Sequence, residues 1–107
     1  MEGESTHAIA RTNSGTIVGT ARLHNTSELV GQIRFMAVLP AFRGLGIGMK
    51  LTEFLESEAR QSGLKRITLD ARENVDQFYQ RMGYSLCGKG DTLFGVVRHT
   101  KMEKVLY

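Results

Sequence analysis

Three glycines, at positions 44, 46 and 48, separate a strand-like segment from a helix-like one. Before them, Leu29 to Val38 has strand character, and Pro40, the only proline, ends the strand because it cannot donate to the sheet ladder. After them, apolar residues recur with a helical period at 47, 51, 54, 55 and 59, while the charged residues at 50, 53, 56, 58 and 60 lie mostly off that stripe. The chain is therefore restricted to folds that contain a tight strand–turn–helix unit.

Strand-like and helix-like segments continue along the rest of the chain. The predicted strands are 7–12 and 16–24 (a hairpin around Asn13-Ser14-Gly15), 66–71, about 84–87 and 92–106, with Gly88-Lys89-Gly90-Asp91 as the last turn. Gly63 is the expected C-cap of the long helix, and a second helix should follow Asn74 on the stripe Val75, Phe78, Tyr79 and Met82 and end at Gly83. This order predicts one domain over residues 1–107 of class α/β (α+β). A mixed sheet with a right-handed βαβ crossover should carry helices packed on its faces.

The glycine turn is a candidate anion site. Glycines directly before a helix expose backbone N–H groups, and the helix dipole adds positive potential there. The alternative is a tight turn that needs glycine for its geometry alone. Two known phosphate loops do not fit: Gly44 and Gly48 are one residue too close for GxxxxGK[ST], and Met49 stands where GxGxxG requires its last glycine.

A longer pattern around this turn resembles a known family. Arg43-Gly44-Leu45-Gly46-Ile47-Gly48 follows the strand end Met36-Ala37-Val38-Leu39-Pro40, as in the GNAT acetyltransferases. Further along, 69–74 (LDAREN) followed by 78–84 (FYQRMGY) looks like that family's second block, and 99–106 (HTKMEKVL) resembles the last strand of some small members. The resemblance runs from about His7 to the C-terminus and implies a mostly antiparallel GNAT sheet.

The resemblance also implies a function and roles for particular residues. The chain would transfer an acetyl group from acetyl-CoA to a primary amine by direct attack in a ternary complex, without a metal. The amides of Leu45, Gly46, Ile47, Gly48 and Met49, beside Arg43 and Gly44, would hold the pyrophosphate. The backbone of Met36, Ala37 and Val38 would pair with the pantetheine arm. Asn74 would hydrogen-bond that arm, and Tyr79 would be the general acid for the departing thiolate, or else a core residue.

The group that deprotonates the amine is not evident. Where some family members have a glutamate, this sequence has Gln32, which cannot accept a proton as a carboxylate does. Glu28, His24, His99 or an ordered water are the alternatives, and each of these residues also has an ordinary surface or packing interpretation. Arg11, Arg22 and Arg34 either line an acceptor cleft or lie on solvated strand faces.

The N-terminus departs from the family pattern. The family begins with a strand and two helices that wall the acceptor site, whereas the first strand pattern here begins by about His7. We therefore expect a short form: a minimal version, a chain whose wall is supplied by a partner subunit, or a chain that binds acetyl-CoA without efficient turnover. The sheet face that would remain exposed also suggests a homodimer. A non-catalytic CoA-binding or regulatory module is the main alternative to the enzyme, and a nucleotide-binding fold ranks last.

Composition narrows the remaining classes. The formal net charge of +3 comes from scattered residues, so no nucleic-acid partner is expected. Cys87 is the only cysteine and is expected to be an inert thiol, and the three histidines are scattered, so neither a disulfide nor a metal site is predicted. With no apolar run long enough to cross a membrane and no signal-peptide pattern, we expect a cytoplasmic protein.

Overall fold

The computed structural model describes residues 5–72, 75–89 and 99–106. These residues form six strands, two α-helices and one turn of 3₁₀-helix. In chain order the elements are β1 (Ser5–Arg11), β2 (Ile17–Asn25), β3 (Val30–Val38), the 3₁₀ turn (Pro40–Phe42), α1 (Ile47–Gln61), β4 (Arg66–Arg72), α2 (Asp76–Arg81), β5 (Ser85–Lys89) and β6 (His99–Val105).

The strands form one mixed sheet in the order β1-β2-β3-β4-β6-β5. Every neighbouring pair is antiparallel except β3 and β4, which are parallel and are connected through α1. This is the predicted βαβ crossover, since a parallel connection needs a segment long enough to return along the sheet. The predicted fold class, a mixed and mostly antiparallel sheet with helices, is confirmed.

Both described helices lie on the same face of the sheet, here called the helix face. The connections β3–α1–β4 and β4–α2–β5 each join two parallel strands, and both lead toward the same edge of the sheet. Because such connections are right-handed, both helices lie on one side. The core lies under them and contains residues of both helices and five strands. Its fully buried large side chains are Leu23, Leu55, Ile67, Met102 and Thr52.

The ends of α1 follow the local sequence. Gly63 has φ +87°, and the amides of Gly63 and Leu64 donate to the carbonyls of Arg60 and Ala59. This pair of bonds is a Schellman motif, which needs a left-handed residue after the helix. The predicted glycine C-cap is therefore confirmed, with Ser62 as the last half-helical residue.

The predicted phase of α1 is partly wrong. Phe54, placed on the apolar stripe, is 49% exposed, while Glu56, placed off it, is 4% exposed. At 100° per residue the buried arc is centred on Thr52, Leu55 and Ala59, so that Phe54 points to the other side and Glu56 inward. A stripe defined by apolar residues alone cannot include a buried carboxylate such as that of Glu56.

The predicted turn at 88–91 is also wrong in its first half. β5 continues through Lys89, and Gly88 and Lys89 pair with Lys101 and Thr100 of β6. A register irregularity between Leu86 and Gly88 lets the strand run past the point where glycine suggested a turn. The rest of that turn and the predicted strand segment 92–98 lie outside the described residues.

Candidate functional site

The two parallel strands at the centre of the sheet separate along their length. They pair only at Val30–Arg66, Gly31–Ile67 and Gln32–Thr68. Beyond the last pair, β3 continues to Val38 beside β2 and β4 continues to Arg72 beside β6. The inner edges of these two segments therefore face an opening, which we call the splay. An extended ligand can hydrogen-bond such a strand edge as an added strand does.

A β-bulge accounts for the change in direction of β3. Between the pairs Thr20–Ala37 and Arg22–Arg34, β3 has one residue more than β2, so that Phe35 and Met36 together oppose Ala21. A bulge bends its strand and increases the local twist. It lies just after Gln32, where the pairing of β3 with β4 ends.

Four residues from three elements meet beside this bulge. The Tyr79 hydroxyl of α2 donates to Sδ of Met36 in β3, at 3.5 Å. A Cβ built on Gly48, in the first turn of α1, would lie 3.9 Å from the same sulfur and 3.5 Å from the ring of Phe78. The Phe78 and Tyr79 rings meet edge to face, with centroids 4.9 Å apart. The N-terminus of α1, the bulge and α2 thus converge at the splay.

Tyr79 is both a core residue and a polar group of this cluster. Its side chain is 8% exposed, and burial raises the pKa of its hydroxyl above the ordinary value of 10.0. The phenol therefore keeps its proton at neutral pH. Its partner is a thioether sulfur, which is only a weak acceptor. A stronger acceptor placed in the splay would compete well for this hydrogen.

The glycine turn has a left-handed backbone at two positions. Gly44 has φ +80° and Gly46 has φ +82°, and a Cβ at Gly44 would meet no atom within 4 Å. Glycine is therefore needed for conformation, and the space over the turn is open. Arg43 braces the turn, since its Nε donates to the carbonyl oxygen of Val38 at 3.1 Å.

The N-terminus of α1 has the electrostatics of an anion site. Gly46 is the N-cap and has no side chain to accept from the first amides, and its carbonyl accepts from the amide of Lys50 at 3.1 Å. The amides of Ile47, Gly48 and Met49 precede any intrahelical acceptor. No acidic residue stands in the first turn. Open amides and the positive end of the helix dipole therefore coincide.

The structure brings most of the predicted cofactor residues to this region. Met36, Ala37 and Val38 form the far end of β3 at the splay, and the turn from Arg43 to Met49 lies at the N-terminus of α1, next to Tyr79 through Gly48 and Phe78. The side chains of Leu45 and Met49 are exposed. Asn74 lies outside the described residues, so its predicted contact stays a prediction.

Gln32 lies at the apex of the splay, where the pairing of β3 with β4 ends, on the face of the sheet away from the helices. The flanking residues Gly31 and Ile33 are buried under the helices, so Gln32 projects to the other side of the sheet, here called the open face. His24 of β2 and Thr68 of β4 are its direct partners in the register. These three side chains form a polar row across β2, β3 and β4, at the point where β3 and β4 begin to separate.

The alternative base Glu28 lies elsewhere. A cavity of about 450 Å³ opens at the end of β3 and β4 that is away from the splay, and it is lined by Ser27, Glu28, Leu29, Val30, Lys65 and Arg66. Glu28 stands in the β2–β3 loop there. The side chain of His99 is not among the described ones. Of the two alternatives whose side chains are described, His24 lies beside Gln32 and Glu28 does not.

A buried ionic cluster that the sequence analysis missed holds the C-terminal end of α2. Tyr84 donates to Oε2 of Glu56 at 2.8 Å, and the ammonium of Lys104 lies 3.2 Å from both oxygens of Glu56 and 2.8 Å from the carbonyl of Met82. The ring of Tyr84 also meets that of Tyr79, with centroids 5.7 Å apart. The cluster joins α1, the end of α2 and β6. The position of Glu56 on α1, on the same side as Thr52 and Leu55, was the sequence signal that could have predicted its burial.

The described part of the chain has neither a metal-binding cluster nor a membrane-spanning helix. No three His, Cys, Asp or Glu side chains lie close enough together there to hold a metal ion. Within the same residues, no helix is both long and apolar enough to cross a bilayer.

Comparisons with known proteins agree with the fold. A family model for the acetyltransferase (GNAT) domain matches residues 1–106. Aminoalkylphosphonate N-acetyltransferase of Salmonella typhimurium is 37% identical over 79 residues, which are 66% of this chain and 51% of that protein. The chain thus spans about half the length of this curated relative.

Solved structures give the same result. The crystal structure of an aminoglycoside 6'-N-acetyltransferase complexed with coenzyme A superposes with a TM-score of 0.88 at 18% identity, over 98% of this chain and 74% of that one. An acetyltransferase from Bacillus cereus gives 0.87 at 24% identity, over 96% and 74% of the two chains. At these identities the likeness shows the fold alone. Together with the family match over nearly the whole sequence, it means that the chain belongs to the GNAT acetyltransferase family.

Proposed function

We propose that the chain transfers an acetyl group from acetyl-CoA to a primary amine while both substrates are bound. The observation that carries this proposal is the meeting of Tyr79, Met36 and the first turn of α1 at the splay. A candidate anion site, a strand edge unpaired with β4 and a protonated phenol lie close together there. These are the groups needed to bind a phosphate, an amide-bearing arm and a thiol leaving group.

The residues present fit acetyl-CoA. Open amides at Ile47, Gly48 and Met49 suit the pyrophosphate, and the glycines at 44 and 46 leave the space above the turn clear. The edge of β3 from Met36 to Val38 offers backbone groups to the amides of the pantetheine arm. Acetyl-CoA would supply an activated acetyl thioester.

Tyr79 is proposed as the general acid. A thiol has a reference pKa of about 8.5, so a thiolate expelled into a dry cleft gains from a hydrogen-bond donor or a proton. Burial raises the Tyr79 pKa, which keeps the donor protonated at working pH. The hydroxyl already points at a sulfur atom in this position, Sδ of Met36, which it would exchange for the sulfur of the leaving thiol.

The acceptor is proposed to be a primary amine. The name of the Salmonella relative specifies an aminoalkylphosphonate, and we take that chemical class as the first acceptor to test. The amine must reach the splay from the open face, because the helices cover the other one. Arg22 and Arg34, neighbours in the register on the open face, would meet the negative group of such an acceptor.

A non-catalytic CoA-binding module is the second candidate. The observation that favours it is Gln32, whose amide stands at the apex of the splay and cannot take a proton from an ammonium group. Such a module would retain the glycine turn and the strand edge and would bind acetyl-CoA without turning it over.

The experiment that separates these candidates measures turnover. The purified chain is mixed with acetyl-CoA and, in turn, 2-aminoethylphosphonate, spermidine or a lysine-containing peptide, and the acetylated amine is detected by mass spectrometry. Acetylation of at least one amine, saturable in both substrates, is the expected result. Saturable binding of acetyl-CoA with no acetylated product from any amine would establish the module instead.

A further inference from the structure

The proposed acetyl transfer requires a proton acceptor on the open face of the splay. A primary ammonium has a reference pKa of about 10.4, so at neutral pH the acceptor must lose a proton before its nitrogen can attack. Gln32 stands where the two strands part but has no basic atom. Its direct partner across β2 and β3 is His24. In such a pair the Cβ atoms lie about 5 Å apart, so an imidazole stands beside the amide.

His24 is held in place by β1. Its Nδ1 lies 3.3 Å from the Ser5 hydroxyl oxygen, and Ser5 is its partner on the other side in the register. The same oxygen accepts from Nε of Arg22 at 3.1 Å and from Nη2 at 3.0 Å. His24 is half-buried. Ser5 of β1, itself held by Arg22 of β2, thus positions the ring through one of its nitrogens.

The Ser5 contact is compatible with either tautomer of the neutral His24 ring, because the hydroxyl can donate to Nδ1 or accept from it. The Ser5 oxygen accepts from the guanidinium of Arg22 and can also accept from an N–H at Nδ1 of His24, which is the tautomer required of a base at Nε2. When Nδ1 carries the hydrogen, Nε2 carries the lone pair in the neutral ring. Among the described residues the structure gives His24 no second hydrogen bond through Nε2. Protonation at Nε2 would leave the bond to Ser5 unchanged.

We propose that His24, oriented by Ser5 and Arg22, is the general base that deprotonates the amine acceptor. This rests on the proposed acetyl transfer. The ammonium gives one proton to Nε2 of His24, and the freed amine nitrogen forms a bond to the acetyl carbon. The bond from that carbon to sulfur then breaks, and Tyr79 delivers its proton to the departing thiolate. The nitrogen loses its second proton to solvent, and the Tyr79 phenolate takes a proton back from solvent. His24 returns its proton to solvent.

Other titratable groups of the open face give the controls. The charged or titratable side chains next to His24 on that face are His7 of β1, Arg22 of β2 and Arg34 of β3. Asp70 of β4 is a carboxylate on the same face beyond the splay's apex, exposed and opposite Lys101 in the register. Asp70 is the competing base, and His7 is a histidine on the same face one strand further away.

The test compares pH profiles of kcat/KM for the wild-type chain, His24→Asn, His7→Asn and Asp70→Asn, with the amine that the wild-type chain acetylates best. Asparagine keeps an N–H that can bond Ser5 but has no basic nitrogen. Loss of a general base should lower kcat/KM about a hundredfold at neutral pH and remove the acid limb of the profile, with acetyl-CoA affinity unchanged. His7→Asn and Asp70→Asn should keep both rate and limb.

A positioning test follows from Ser5. Ser5→Ala removes the oxygen that holds Nδ1 and should lower kcat/KM less than His24→Asn does, whereas Ser5→Thr, which keeps the hydroxyl, should restore it. His24→Gln replaces His24→Asn if thermal melting finds the latter unfolded.

Three results would overturn the proposal. A His24 variant that keeps kcat/KM within about threefold of wild type, together with its acid limb, excludes the base, because general acid–base groups contribute about a hundredfold or more. Loss of that limb in Asp70→Asn instead assigns the proton transfer to Asp70. Absence of turnover by the wild-type chain with every amine overturns the acetyl-transfer proposal as well, which distinguishes the two failures.

Discussion

Tyr79 joins the core to the candidate site through one hydroxyl group. The aromatic ring packs between Phe78 and Tyr84, which explains its burial, while the oxygen reaches Sδ of Met36 at the splay. A phenylalanine would pack in the same space, so the hydroxyl is the part that packing does not require. A polar atom kept in a dry position with only a weak acceptor is typical of a group that has another partner during function.

The variant Tyr79→Phe should separate chemistry from binding. Removing the hydroxyl deletes the proposed proton donor, so kcat should fall about a hundredfold while the affinity for acetyl-CoA stays unchanged. Initial rates at saturating substrate and calorimetric titration provide the two values. Tyr84→Phe is the matched control and should retain kcat in the folded protein. Full turnover by Tyr79→Phe would remove Tyr79 from the mechanism.

The buried tyrosines also predict how stability depends on pH. Burial and the neighbouring Glu56 carboxylate raise the pKa of Tyr84 far above its reference value of 10.0, and burial raises that of Tyr79. Below pH 10 both folded and unfolded chains keep these protons, so the titration of these two groups does not change stability with pH there. Above it the unfolded chain loses protons that the folded chain retains, and the free energy of unfolding therefore falls as the pH rises.

Urea unfolding at about pH 9 and about pH 11, on either side of the reference value, should detect this loss. Tyr84→Phe, though less stable near neutral pH, should lose less stability between the two pH values than the wild-type chain does. Equal losses in both proteins would contradict the assigned burial effect.

Helix α1 performs two tasks at two places along its length. Its first turn presents open amides above the glycine turn, and Glu56 in its second half anchors Tyr84 and Lys104. The two places lie on one rigid helix, so the ionic cluster fixes the helix that carries the candidate anion site. The same cluster holds the carbonyl of Met82 and so positions the end of α2, which carries Tyr79.

A negative charge at the start of α1 should weaken cofactor binding. Gly46→Glu places a side chain and a negative charge among the amides, so acetyl-CoA affinity should fall by at least about tenfold, the effect of 1.4 kcal/mol. Gly63→Glu is the matched control: its φ of +87° resembles the +82° of Gly46, and it lies past the other end of α1. Calorimetric titration of both variants checks this. Equal affinities would exclude the glycine turn as the phosphate site.

The ionic cluster should contribute strongly to stability. Glu56→Gln leaves the ammonium of Lys104, which is largely shielded from water, without its counter-charge, and breaking a buried pair costs about 3 kcal/mol. Denaturant unfolding measures this loss. The double variant Glu56→Gln with Lys104→Met removes both charges and should recover part of it. By contrast, Arg66 and Glu103 form an exposed pair, and Arg66→Met should change stability by less than about 1 kcal/mol.

At the scale of the whole molecule, the elements were readable from the sequence because each depends on neighbouring residues. The period of Ile67, Leu69 and Ala71, the stop at Pro40 and the cap at Gly63 are local signals, and the structure has the corresponding strand, turn and helix end. The structure places the glycine turn between β3 and α1 and Tyr79 on α2, and the roles that the family pattern implies for them stay predictions.

Features that depend on pairing between distant segments were not readable. The bulge opposite Ala21, the end of β3–β4 pairing at Gln32 and the contact of Ser5 with His24 depend on register, which no single segment specifies. The burial of Glu56 depends on Tyr84 and Lys104, which are 28 and 48 residues away in sequence. For the same reason the placement of both helices on one face follows from strand order rather than from either helix.

The central claim is that the glycine turn and the splay together form an acetyl-CoA site. The most direct test is calorimetric titration of the purified chain with acetyl-CoA, with NAD and ATP as controls in the same buffer. Saturable binding of acetyl-CoA alone is the predicted result, because the pantetheine arm needs the free edge of β3 and the other two ligands have no such arm. Binding of all three with equal affinity, or no binding of acetyl-CoA, would contradict the account.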